Sequence, residues 1–153
     1  MDLIAHLSFG LWLYKQYGDF SAVISSIIFD LDHIIGFFYD RRKDVKIEIP
    51  KLYQFVYRKR SWFHSIAVLP ILTFLFSFVC DWKIALIALT SHLLLDALDN
   101  SGIYILPYFS KKRIRGPLPP SYFIENPRKK KTKGSHLPSI VVSILFLILI
   151  LLG

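Results

Sequence analysis

From Trp62 to Cys80 the chain carries no Asp, Glu, Lys or Arg, and from Leu137 to Gly153 it carries none again. The first run is long enough to cross a bilayer as a helix, and the second is short for a span but within the usual range. Both are apolar on every face rather than along one stripe, which excludes the surface helices of a soluble domain. Of 153 residues, 54% are hydrophobic and 20% charged, a shift from ordinary globular usage that is concentrated in these runs. The expectation is an all-α protein, a polytopic transmembrane bundle of about five helices.

The helical segments are expected at about residues 2–15, 20–39, 61–80, 83–98 and 138–152. Gly18-Asp19 makes a turn, Pro70 kinks the third segment, and the run Asp99-Asn100-Ser101-Gly102 ends the fourth. A short amphipathic helix is expected after Pro50, where Leu52, Phe55 and Val56 share a face. Segments one, two and four carry polar residues and are expected to line the interior, while three and five face lipid. Three regions follow: a membrane-embedded core over 1–110, a basic Pro-containing cytoplasmic loop over 111–136, and a C-terminal transmembrane helix over 137–153. The start of the chain lacks a positive n-region and His6 interrupts its apolar stretch, so no cleavable signal peptide is expected. Cys80 is the single cysteine, which rules out an intramolecular disulfide.

Basic residues fall almost entirely in two connections. One holds Arg41, Arg42, Lys43, Lys46, Lys51, Arg58, Lys59 and Arg60; the other holds Lys111, Lys112, Arg113, Arg115 and the run from Arg128 to Lys133. The positive-inside rule makes both cytoplasmic. The chain is then a multi-pass protein of the inner, cytoplasmic membrane with its N-terminus inside. Basic runs beside spans serve topology and contact anionic lipid. Aromatic interleaving is thin and no nucleic-acid fold motif appears, so membrane lipids are the expected partners and nucleic acid is not. Oligomeric state is not readable.

Ionisable side chains inside apolar segments are rare and usually line a functional interior. Here they recur as His6 in the first segment, Asp30-Leu31-Asp32-His33 in the second, His64 in the third, and His92 with Asp96 in the fourth. At about 1.5 Å rise per residue all fall within roughly 15 Å of the same membrane face, because the helices alternate in direction. His92 and Asp96 at i,i+4, and Asp30 and His33 at i,i+3, project from shared helical faces, as in metal-holding bundles. Asp32 points away from Asp30 on a regular helix, so either the helix loosens or Asp32 orients an imidazole from behind. Taken singly, each histidine fits packing or interhelical hydrogen bonding as well; the cluster is what points to a metal. Asp99 shares the Asp96 face but suits a cap or solvation better than ligation. Imidazole and carboxylate suit a divalent ion such as Zn or Mn, and the lack of thiolate argues against a structural zinc site. Six or seven groups leave one or two ions open.

The order His6, Asp30-Leu31-Asp32-His33, Arg60-Ser61-Trp62-Phe63-His64-Ser65, and Ser91-His92-Leu93-Leu94-Leu95-Asp96 followed by Gly102 and Pro107-Tyr108 resembles the family of membrane-bound metal-dependent hydrolases, some described as LexA-regulated inner-membrane proteins. That family shows an early His, Pro-Asp-x-Asp-His, His-Arg-Gly-x-Thr-His-Ser, and Ser-His-x-x-x-Asp. The likeness covers about the first 110 residues. Phe29 stands where the family has Pro, Lys59 where it has the first His, Ser61 for Gly and Phe63 for Thr. The family is more distantly similar to zinc-dependent phospholipase C, which implies phosphoester chemistry by analogy.

The reading is therefore a membrane-bound metal-dependent hydrolase acting on a lipid or lipid-linked phosphoester at the cytoplasmic face. His6, Asp30, His33, His64, His92 and Asp96 are the expected metal ligands, Asp32 the base or orienting group, and Arg60 a clamp on a phosphate oxygen. The rival readings are an ion or proton transporter, which needs polar groups through the full thickness, and a non-catalytic polybasic membrane adaptor.

Overall fold

The computed structural model describes residues 3–31, 63–100, 102–106, 112–119 and 137–152. Among them are five α-helices: α1 (Leu3–Tyr17), α2 (Ser21–Ile27), α3 (Val68–Phe76), α4 (Trp82–Ala97) and α5 (Leu137–Leu152). A 3₁₀ turn, Ile28–Asp30, extends α2, and a two-stranded antiparallel sheet follows α4, formed by β1 (Ile103–Tyr104) and β2 (Arg113–Ile114). The molecule is mostly helical, as the sequence implies, with a small sheet that it did not announce. Asp32, His33, Arg60 and the short amphipathic helix expected after Pro50 lie outside the described residues.

α1 and α2 form a close antiparallel hairpin around Gly18, which takes a left-handed φ of 70°. Its tightness comes from small residues. A Cβ on Gly10 would stand 2.1 Å from Ser26 Oγ and 3.0 Å from the Val23 Cα, so only glycine admits α2 at this approach. α4 begins at Asp81, whose carboxylate accepts from the Lys83 amide at 2.8 Å, satisfying a donor that the first turn leaves open. It crosses both partners. Leu13, Ala22, Ile84 and Ala88 pack at one end of the bundle, with Phe9 and Trp12 against them. A second core of Phe29, Val68, Leu72, Leu89, Leu93 and Ile103 joins α3 and β1 to α2 and α4.

α5 runs in the same direction as α1. Phe146 packs edge-on against Phe9 with ring centres 5.0 Å apart, and the Lys15 ammonium reaches the Ile150 carbonyl one turn farther along. Its buried side chains are Ser139 and Ser143, while Ile140, Val141, Ile144, Leu145 and Ile148 are exposed. α3 likewise leaves Ile71, Phe74 and Leu75 outside, and Phe78 and Val79 follow in the turn after it.

The third segment departs from expectation. Instead of a helix over 61–80 kinked at Pro70, residues 63–67 form turns and α3 starts at Val68. Pro70 then sits in the first helical turn, where its missing N–H costs nothing; deeper in a longer helix it would delete a bond and strike the preceding turn. Polar backbone groups before it bond elsewhere, to β1. No helix among the described residues is long and apolar enough to cross a membrane.

Candidate metal centre

The antiparallel α1–α2 hairpin places His6, near the start of α1, opposite Asp30, which ends the 3₁₀ turn. α4 passes both with His92 and Asp96 one helical turn apart. His64 comes from the turns before α3, and its position is set by a strand rather than by a helix. The Tyr104 amide donates to the His64 carbonyl at 3.0 Å, and the Ile66 amide donates to the Tyr104 carbonyl at 3.0 Å. β1 thus grips the backbone on both sides of Ser65, in a parallel bridge between Ser65 and Tyr104. Four separate stretches of chain bring five side chains to one end of the bundle.

The donor atoms are close. His6 Nε2 lies 3.2 Å from Asp96 Oδ1, while His64 Nε2 and His92 Nε2 lie 3.6 and 3.5 Å from Asp96 Oδ2. The same two imidazole nitrogens lie 3.8 and 3.9 Å from Asp30 Oδ1. Ligand–metal distances of about 2.0–2.2 Å in a tetrahedral shell put neighbouring donors about 3.3–3.6 Å apart. The observed spacings are mostly longer than hydrogen bonds and near that edge length. Two donor sets meet the requirement of mutual proximity: His6, Asp30 and His92, and His64, His92 and Asp96. All but Asp30 are buried to 1% exposure or less, and Asp30 is half-buried.

His92 decides how the cluster reads. Its Nδ1 is 2.5 Å from the Ser26 carbonyl. A carbonyl only accepts, so Nδ1 carries the proton and, in the neutral ring, Nε2 presents its lone pair. That lone pair faces carboxylate oxygens of Asp30 and Asp96, which are acceptors too, and makes no hydrogen bond among the described residues. An arrangement of acceptors aimed at one another is repulsive unless a cation stands between them. Donation of Nδ1–H to a main-chain oxygen is also how metal-binding histidines are held in the ligating tautomer. The donor set therefore fits a divalent ion.

Three supporting features were not visible in the sequence. The Ser26 carbonyl that orients His92 lies where α2 gives way to the tighter 3₁₀ turn. Phe29, noted only as a departure from a proline, is fully buried with its ring 5.8 Å from that of His64 and 5.0 Å from that of His92. It walls the site and limits how both imidazoles rotate. His6 stacks on His92 with ring centres 3.6 Å apart and planes 15° off parallel. Asp99 behaves as a cap: buried, it accepts from the Gly102 amide at 3.3 Å. The part of its reading that invoked solvation does not hold, because residues 112–119 fold back over it, with the Gly116 amide donating to its carbonyl.

A family model described as YdjM inner membrane protein matches residues 1–153. The chain belongs to that family. The match includes the basic connection and α5. No curated protein and no solved structure matches the chain. The family description makes it an inner membrane protein.

Proposed function

We propose that this family member is a metal-dependent hydrolase embedded in the inner membrane, holding one divalent ion, Zn or Mn, among His6, Asp30, His64, His92 and Asp96. The observation that carries the reading is the His92 lone pair directed at two carboxylates with its other nitrogen already committed to Ser26. The two donor sets have His92 in common. A bound ion supplies Lewis acidity and a water acidified towards neutrality, suited to attack on a phosphorus centre. The protein's own contribution is to fix the donors, exclude bulk water on the Phe29 side, and leave Asp30, the half-buried member, towards the approach side. A carboxylate outside the coordination shell would receive the proton from the attacking water; Asp32 is assigned that role, and Arg60 the neutralisation of phosphate charge.

A multi-pass placement with a cytoplasmic N-terminus goes with this reading. Exposed aliphatic and aromatic side chains cover α5 and the outer part of α3, far more apolar surface than a soluble monomer leaves to water. α1 and α5 run in parallel, as two spans leaving the same side would. The site lies at the end of the bundle that the basic connections mark as cytoplasmic, at headgroup depth, where a lipid or lipid-linked phosphoester is at hand. Transport is disfavoured because Leu13, Ala22, Ile84 and Ala88 close the interior at the opposite end with apolar side chains. The test is metal analysis of purified wild type beside His64→Ala and Asp96→Ala, followed by phosphoester hydrolysis with Zn and Mn added separately. Metal bound in wild type and lost from both variants supports the reading; equal metal in all three removes it.

A further inference from the structure

Of the five side chains at the metal centre, His64 is the one not carried by a helix. His6 stands on α1, His92 and Asp96 stand on α4, and Asp30 closes the 3₁₀ turn, so the ladders of those elements fix their backbones. His64 lies in the turns before α3. Two of the bonds that place this stretch run to β1, through the amide and the carbonyl of Tyr104. A strand of two residues has little persistence of its own. What steadies Tyr104 therefore bears directly on how firmly His64 is held.

On one face of β1, Ile103 is buried in the core that contains Phe29. On the other, Tyr104 stands opposite Arg113 of β2, and opposed side chains of an antiparallel pair meet on the same face. The Arg113 guanidinium carbon lies 4.0 Å from the Tyr104 ring centre, and the guanidinium also donates to the Tyr104 hydroxyl. Both side chains are half-buried, where a cation over a ring is held more strongly than in open water. The stretch after β2 is fastened in turn to the end of α4. The Gly116 amide donates to the Asp99 carbonyl at 3.1 Å, the Leu118 amide to the Leu98 carbonyl at 3.0 Å, and the Asn100 amide to the Leu118 carbonyl at 2.8 Å. Arg113 thus connects the helix that bears His92 and Asp96 to the turn that bears His64.

We propose that Arg113 is a positioning residue of the metal centre: it holds the Tyr104 side chain, and with it the strand that seats His64 among the other donors. The proposal rests on the metal reading above. A residue that the charge pattern counts among topology signals has a second role inside the fold. Lysine replaces it only in part, because an ammonium is attracted to the ring but lacks the planar fork that also reaches the hydroxyl.

The test measures zinc affinity of the full chain in detergent, by competition with a chromophoric chelator, as a cycle of Arg113→Gln, His64→Ala and the double variant. Arg113→Gln should weaken zinc binding about tenfold, the worth of a partly desolvated cation over a ring, and Arg113→Lys should recover part of that loss. Once His64 is gone there is nothing left to position, so adding Arg113→Gln to His64→Ala should change affinity by less than about twofold. Hydrogen exchange of the metal-free protein, read by mass spectrometry, should speed up in Arg113→Gln over residues 63–67 and stay unchanged over residues 82–86 at the far end of α4. Wild-type affinity in Arg113→Gln, an equal loss with and without His64, or exchange that is unchanged over 63–67 or raised equally in both stretches would overturn the proposal. Zinc held without phosphoester cleavage would sink the hydrolase reading and leave this proposal standing. A wild type that takes up no zinc would sink the metal reading, and the exchange over 63–67 would still decide whether Arg113 holds the His64 backbone.

Discussion

Replacing Asp96 by Asn keeps the size of a side chain that faces three imidazoles and removes its charge. In the structure its two oxygens lie 3.2, 3.6 and 3.5 Å from His6, His64 and His92, so it stands within 4 Å of a nitrogen of each of the three rings. Apparent zinc affinities of about 10–16 kcal/mol spread over four donors amount to roughly 2.5–4 kcal/mol per donor. At about 1.4 kcal/mol per factor of ten, Asp96→Asn should weaken metal binding by two to three orders of magnitude. The measurement is competition against a chromophoric chelator with Zn and with Mn, in detergent, on protein first stripped of metal. Asp99→Asn is the matched control. Asp99 is also fully buried and lies three residues on, but its Oδ1 serves the Gly102 amide, a role that the Asn carbonyl oxygen reproduces. Its affinity should stay within about threefold of wild type, a difference of roughly 0.6 kcal/mol. Wild-type affinity in Asp96→Asn, or an equal loss in Asp99→Asn, would show that the cluster is a hydrogen-bonded structural core and not a coordination shell.

Gly10→Ala drives a methyl group into Ser26 Oγ and towards the Val23 Cα; the overpacking of about 1–3 kcal/mol outweighs the helix-propensity gain of about 1 kcal/mol. A lower thermal midpoint and weaker metal binding should both be partly restored by Ser26→Gly, and a Gly10→Ala protein as stable as wild type would refute the close approach. Gly102→Ala meets both a left-handed φ and the Ile114 carbonyl, so β2 should detach; trypsin should cut at Arg113 and Arg115 faster, and unchanged cleavage would count against the hairpin. Stripping the metal should cost about 4 kcal/mol of stability relative to protein held at a thousandfold excess over Kd, seen as a fall in midpoint that His64→Ala does not show. A fall of the same size in His64→Ala would assign the effect to the chelator.

Elements whose signals are local were legible. α4 was expected at 83–98 and spans Trp82–Ala97, because the Asp81 cap and the breaker run after Leu98 each act within one turn. The third segment was not. An uncharged run gives no hint that the backbone around His64 will bond to a strand formed after α4, nor that Pro70 will open a helix rather than bend one. The two short strands were illegible for a related reason: two residues carry no periodicity, and their pairing joins β1 to a stretch that reads as basic linker.

His6, Asp30, His64, His92 and Asp96 stood out from the sequence because charge in an apolar segment is costly, and alternation of helix direction put them at a common depth. Depth along an axis is a sum of local rises, which a sequence supplies residue by residue. Contact across axes depends on how closely the backbones approach, and that depends on pairs far apart in the chain. Gly10 against Ser26, Tyr104 against His64 and the Ser26 carbonyl against His92 are such pairs. Which nitrogen of His92 looks inward, and that the lone pair it carries faces two carboxylates, was settled by close packing alone, since an imidazole has no preferred tautomer until a distant carbonyl chooses one.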